Sequence, residues 1–453
     1  MSGSVQRYRL LSIPPNAETL ALAFMALLSS TISLKVASVQ YLEFIELALL
    51  LFAGFHFLRE ELRLELSRAM YRLIMGYLLL AALIVAGCAL AATRPFYLDV
   101  SGINKPGYVS AARLLELALG TFTTVLLTEI FRRSRAKCLF TAKIYFVTGT
   151  LSAMLSIVGF VLHGPFALFL TGARASGFYN EGGPYGLYML SVVLLGLVFS
   201  SMGTIWKPTY LYTATTINII ALILSASKAA YIAMLLLFLV RILRAGSHRQ
   251  RVTSAAVALG VTIVLLAFTD VSRGVNGYIQ GGRRFEAISQ ARPNDVNFSY
   301  GRTAALFFVP RMVAQHPWLG VGFANYGLVR NAPEYRGSAA IATFIDHDGL
   351  GIPGLTAEIG IPATALLIYL LLQPAVLTSH LTRRKSILAL ALLQPLVHLC
   401  GAQLNVTYPW VISAIAIGIA SMQETHSAQA HGPKRTARAL PHAMMPSGVI
   451  YPL

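Results

Sequence analysis

The chain is 453 residues long, 56% hydrophobic and only 12% charged, with a mean hydropathy of +0.65. Soluble domains carry about 25% charged residues, so the composition excludes an ordinary soluble globular protein and points to a polytopic membrane protein. The formal charge of +18, from 36 Lys and Arg against 18 Asp and Glu, reads as membrane topology rather than nucleic-acid binding, because basic residues collect in cytoplasmic loops.

The N-terminal stretch "MSGSVQRYRLLSIPPNAETL" shows no cleavage site, so the first span is expected to be an anchor rather than a removable signal peptide. Apolar segments of roughly the length that crosses a bilayer core fall at about 19–36, 41–58, 73–93, 109–131, 140–163, 185–203, 208–226, 229–243, 252–269, 354–377, 386–403 and 408–422, twelve in all. Threaded from a cytoplasmic N-terminus, they put Arg59, Arg63, Arg68, Arg72, Arg132, Arg133, Arg135, Lys137, Arg241, Arg244, Arg249, Arg251, Arg383, Arg384 and Lys385 inside, with Lys434, Arg435 and Arg438 of the tail. These clusters obey the positive-inside rule, and one span more or fewer would turn half of them outward. The expected architecture is therefore all-α, with transmembrane helices over 1–269 and 354–422, a large outer loop over 270–353 and a cytoplasmic tail over 423–453. Cys88, Cys138 and Cys400 are far apart and lack CxxC spacing, so neither a zinc motif nor a disulfide framework is expected.

Loops of more than about 15 residues are usually functional or disordered, and 270–353 is not low-complexity. It contains Trp318, a helical-looking "GRTAALFFVPRMVAQHP" and eight arginines, at 273, 283, 284, 292, 302, 311, 330 and 336, which outnumber its acids. Arginine on the outer side runs against the topological rule and suits an anionic ligand.

Three outer-face places carry candidate chemistry. In "TGARASGFYNEGGPYGLY" (171–188), a Gly-rich backbone can approach a ligand closely, and Arg174 offers a planar fork suited to phosphate; the bland alternative is a snorkelling arginine. In "LSASKAAY" (224–231), Lys228 ends a span, where an ionisable residue is often only an interfacial anchor. The long loop adds Arg302, "HPWLGVG" (316–322, with His316) and "FIDHDGLGIPGLTAEIG" (344–360), which sets Asp346, His347 and Asp348 at the lip of an apolar helix. A loop histidine is usually just solvated, but a carboxylate neighbour can orient its ring as a general base requires. A hard cation on the triplet ranks low, because adjacent residues point in different directions, and no Walker loop, GxSxG or heptad pattern occurs.

From about residue 140 to 380 the chain resembles the bacterial O-antigen ligases and the related Wzy-type polysaccharide polymerases. The resemblance rests on Arg174–Gly177 (Arg-x-x-Gly), Ser227-Lys228-Ala229, Gly301-Arg302 opening an outer helix, "HPWLGVG", and His347 ahead of the span-opening "AEIG". Two departures stand out: Lys228 occupies a position where ligases often carry Arg, and His347-Asp348 replaces His-Asn. The "GFYNEGGPYG" segment with Glu181 looks closer to polymerases.

What the resemblance implies is a GT-C-like inverting glycosyltransferase of the bacterial inner membrane. It would use an undecaprenyl-pyrophosphate-linked donor at the periplasmic face, with no metal or other cofactor. Arg174, Lys228, Arg302 and Arg311 are the expected pyrophosphate contacts, and His347 is the expected base, oriented by Asp346 or Asp348. Polymerisation of repeat units is the leading expectation, and transfer to lipid A–core or to protein is the alternative. The implied partners are the lipid-linked donor, a glycan or lipid A–core acceptor, the bilayer and a chain-length regulator, without nucleic acid. A transporter or flippase remains the rival from another class, expected to place ionisable groups near the midplane, whereas the acids in spans here, among them Glu43, Glu46, Glu116 and Glu358, are few.

Overall fold

The computed structural model of the protein describes residues 17–30, 35–36, 39–40, 48–49, 51–55, 68–93, 106–179, 181–203, 206–243, 247–268, 285–293, 302–341, 351–382, 384–400, 404 and 406–430. The chain is mostly helical. Five helices are long and apolar enough to cross a membrane: α2 (Arg68–Ala91), α3 (Pro106–Arg133), α4 (Arg135–Leu162), α5 (Gly182–Met202) and α13 (Ile352–Leu381). Apolar helices that are shorter or fall outside that group are α1 (Ala17–Leu28), α6 (Pro208–Leu224), α7 (Lys228–Leu243), α8 (His248–Phe268), the pair α14 (Lys385–Ala391) and α15 (Leu393–Leu399), and α16 (Tyr408–Ala430). Strand content among the described residues is two hairpins of two-residue strands, β1 (Lys35–Val36) with β2 (Val39–Gln40) and β3 (Leu170–Thr171) with β4 (Arg174–Ala175).

Several described elements differ from the apolar runs. The segment expected at 19–36 is not one helix. The Ser29 hydroxyl donates to the Met25 carbonyl at 2.8 Å and that of Ser30 to Leu27 at 2.6 Å, competing with continuation of α1, and the chain then pairs β1 with β2. Of the segment expected at 41–58, helix is described at 48–49 and 51–55. The segment expected at 386–403 is broken at Leu392, between α14 and α15. Pro395 explains the break: it has no N–H to give the carbonyl four residues earlier and its ring collides there.

Small residues let the helices approach closely, as bilayer packing requires. Gly120 of α3 lies against the Trp410 indole of α16, and Gly418 of α16 lies against Phe131 of α3. Side-chain ties mark the two ends of the bundle. At the arginine-rich end, Arg384 donates to the Ser201 carbonyl at 2.8 Å, Ser201 and Ser386 share a hydrogen bond at 3.2 Å, and Lys137 pairs with Glu18 at 2.5 Å. At the opposite end, Ser227 donates to the Gly183 carbonyl at 2.9 Å and Tyr179 to that of Ser29 at 2.8 Å.

The long connection over 270–353 is not an irregular loop where it is described. It forms a small helical cap of α9 (Phe285–Ala291), α10 (Arg302–Gln315), α11 (Tyr326–Val329) and α12 (Pro333–Arg336) with its own core. Phe285 stacks on Phe307 at 3.9 Å, and Phe308, Met312, Tyr326 and Tyr335 close the cluster against Ala357 of α13. The cap is therefore built onto the top of a long membrane helix.

Candidate functional site

The junction between cap and helix depends on a break in α13. Pro362 cannot donate to the Glu358 carbonyl, and Gly360 leaves helical geometry at φ 81°, ψ 168°. Such a break would strand backbone groups in the apolar layer. The "HPWLGVG" segment takes them up: Val321 N–H donates to the Ala357 carbonyl at 2.8 Å, Gly322 N–H to Glu358 at 2.9 Å, and Ile361 N–H donates to the Pro317 carbonyl at 2.7 Å. The glycines make the approach possible. Gly320 has φ +68°, and a Cβ there would run into the Glu358 backbone; one on Gly360 would run into that of Trp318. The Glu358 carboxylate is buried and accepts from Tyr326 N–H at 3.2 Å, which ties α11 to the same point. Ser110 of α3 donates to the Phe323 carbonyl at 2.6 Å, so a third element meets the segment.

Asp346, His347 and Asp348 lie outside the described residues, as does the 342–350 connection that carries them. Their two flanks are described: Ile341 ends the cap and Gly351 precedes α13.

Arg174 is half-buried on β4, with its guanidinium turned toward the protein. Nε donates to the Ser225 carbonyl at 2.9 Å and Nη2 to that of Ala226 at 3.0 Å. These carbonyls close the C-terminal end of α6, where a cation also suits the helix dipole. Two of its five donors are thereby occupied by backbone. Lys228 is exposed at the first position of α7, an unfavourable place for a cation unless an anion is near. Beside it Ser227 caps α7, its Oγ accepting from Ala230 N–H at 3.2 Å. Glu181 is exposed at the cap position of α5, with no side-chain capping bond. These three residues share the end of the bundle at which α5 and α7 start and α6 stops.

Arg311 acts within the cap. Nη2 pairs with Glu286 Oε1 at 2.8 Å and Nη1 donates to the Tyr335 carbonyl at 2.9 Å, so it fastens α10 to α9 and α12. Hydrogen bonds from Ser338 and then Arg311 hold the Glu286 carboxyl below its ordinary range. His316 follows α10, its ring 6.1 Å from that of Tyr335. Arg302 opens α10. Chain position and contacts thus place the candidates in two groups: Arg174, Glu181 and Lys228 around the α5–α7 ends, and Arg302, Arg311 and His316 in the cap.

One residue stands out only in three dimensions. Arg330, capping α11, is fully buried, which arginine almost never is unless paired. Seven other arginines share its stretch of sequence, and nothing in the chain distinguishes it. Among the described residues no three His, Cys, Asp or Glu side chains converge as a metal site would need.

No protein-family model matches the chain, and neither does any curated protein sequence.

Proposed function

We propose that the protein is a membrane glycosyltransferase that takes a glycan from a lipid pyrophosphate at the cap end of the bundle, joining repeat units into a surface polysaccharide. The observation that carries this reading is the junction itself: an arginine-bearing cap hydrogen-bonded into the broken top of α13, the helix that the acid–His–acid segment immediately precedes in sequence. Chain connectivity alone holds His347, four residues before Gly351, within about 14 Å of that helix start. Cationic groups there would neutralise the pyrophosphate through charge-assisted hydrogen bonds, and the diphosphate leaves without strong need of an acid. What remains is removal of a proton from the incoming sugar hydroxyl by His347 as its oxygen bonds to the anomeric carbon.

In this reading the twelve apolar segments all cross the inner membrane of a bacterium, and the arginine-rich end faces the cytoplasm. In this reading Arg174 and Arg302 contact the pyrophosphate, while Arg311 fastens the cap through Glu286 and the Tyr335 carbonyl. Transfer of finished glycan to lipid A–core is the second reading, and it shares the same site. Chromosomal deletion followed by gel analysis of surface glycans separates them. Single-unit glycans without polymer support a polymerase, polymer stranded on its lipid carrier supports a ligase, and an unchanged glycan profile removes both.

A further inference from the structure

A groove of about 730 Å³ opens on the far side of the bundle from the cap, between α5, α6, α7, α8 and α14. α8 packs closely on α7 through Val261, Tyr231 and Phe238, and the recess lies between this pair and α5, α6 and α14. Gly260 lines the recess, and a Cβ built there would meet nothing within 4 Å.

Two features decide what fits. The body of the groove is apolar, while its mouth gathers Arg241 from α7, Gln250 from α8, and Lys385 and Ser386 from α14, with no carboxylate among the described residues that line it. Lys385 Nζ reaches Gln250 Oε1 at 3.4 Å, so side chains of two elements already converge there. A cation in the last turn of α7 suits the helix dipole, but the dipole does not account for a second cation supplied by another helix. Length is the other feature. From Arg241 to Tyr231 the groove follows ten residues of helix, about 15 Å at the helical rise, which is half of a bilayer core of roughly 30 Å. A single leaflet's acyl chain has that reach.

We infer that this groove is a binding site for an anionic diacyl phospholipid, its phosphate held at the Arg241–Lys385 mouth and an acyl chain lying along α7. Basic pockets between membrane helices recognise such headgroups at the cytoplasmic surface, where the positive-inside rule puts this mouth. The inference is independent of the proposed transferase activity.

Native mass spectrometry of the full chain, titrated with phosphatidylglycerol or phosphatidylethanolamine, tests it. The wild type should retain phosphatidylglycerol at roughly 10- to 30-fold lower lipid concentration, given about a fivefold gain for each of the two cations near the headgroup. Arg241→Gln with Lys385→Gln should shrink that preference to under about 3-fold while both lipids still bind. Gly260→Trp should abolish binding of both, and Gly260→Ala, which leaves the groove open, should bind as wild type and so controls for folding. Millimolar inorganic phosphate should not displace the lipid, since the acyl chain supplies much of the hold. Equal retention of the two lipids, unchanged binding by the double or Trp variant, displacement by phosphate, or a bound mass matching a polyprenyl phosphate would each overturn the inference.

Discussion

At the scale of single residues, the arginines divide by what their donors already touch. Arg174 holds the Ser225 and Ala226 carbonyls with Nε and Nη2, a two-pronged contact that a lysine point charge cannot reproduce. Arg174→Lys should therefore lower both thermal stability and donor binding, and Arg174→Ala should weaken donor binding about 10- to 150-fold if its guanidinium also reaches the pyrophosphate. Thermal melts and donor affinity measured in nanodiscs read the two effects separately; loss of stability with donor binding intact would leave Arg174 as a helix cap alone. His347→Ala should spare donor binding and slow single-turnover transfer by roughly 10²- to 10⁴-fold, and transfer at the wild-type rate would return the triplet to a solvated loop. Glu286 supplies a pH signature. Its carboxyl is held below the ordinary range by Ser338 and Arg311, so the folded cap favours the ionised form, and that stability is present above the unfolded-state value. It is lost as pH falls from the usual Glu range through the depressed value. Amide exchange in α9 and α12 should accelerate over that acid window, and Glu286→Gln should flatten the dependence.

At the scale of elements, the informative feature is the broken α13. An apolar run predicts a straight span over 354–377, and α13 does cover it, from Ile352 to Leu381. The break at Gly360 depends on Pro362, visible in the chain, but its consequence depends on "HPWLGVG" arriving from forty residues earlier to satisfy the freed groups. Gly320→Ala would force a Cβ into the Glu358 backbone at a positive φ, at a cost of about 1–3 kcal/mol. Limited proteolysis should then cut the cap faster while the membrane helices stay protected; an unchanged cleavage pattern would mean that the docking does not hold the cap. The α3–α16 contact is a different kind of element interaction, sustained by shape. Trp410→Ala would empty the space beside Gly120 and cost roughly 3–5 kcal/mol, which a detergent melting curve would register.

At the scale of the whole molecule, the two ends of the bundle differ in chemistry. Arg384, Lys385 and Gln250 meet at one, and Arg174, Glu181, Lys228 and the cap lie toward the other. If the membrane separates those ends, cysteines placed at the exposed Gln290 and at Ala430 should label from opposite sides. In intact cells, over the background of Cys88, Cys138 and Cys400, position 290 should react with an impermeant reagent and position 430 should not. The reverse pattern would invert the topology, and with it the side on which transfer is proposed.

Composition and the spacing of apolar runs by themselves determined that the chain is helical and built for a bilayer, because hydropathy and the 20-residue length act locally. They also located α2 to α5 closely, since in a bilayer a long apolar run has no alternative to satisfying its backbone as helix. What only the tertiary structure decided is everything that depends on partners distant in sequence. The 19–36 run stops at Leu28 because serines and a hairpin compete with it. The 270–353 connection holds a cap with a core because Phe285 meets Phe307. Arg311 fastens helices because Glu286 and Tyr335 stand opposite it, and Arg330 is buried where seven neighbouring arginines gave no sign of it. Charge and residue type are written along the chain, but which donors are already occupied, and which remain to meet a ligand, is settled by contacts that the chain order does not contain.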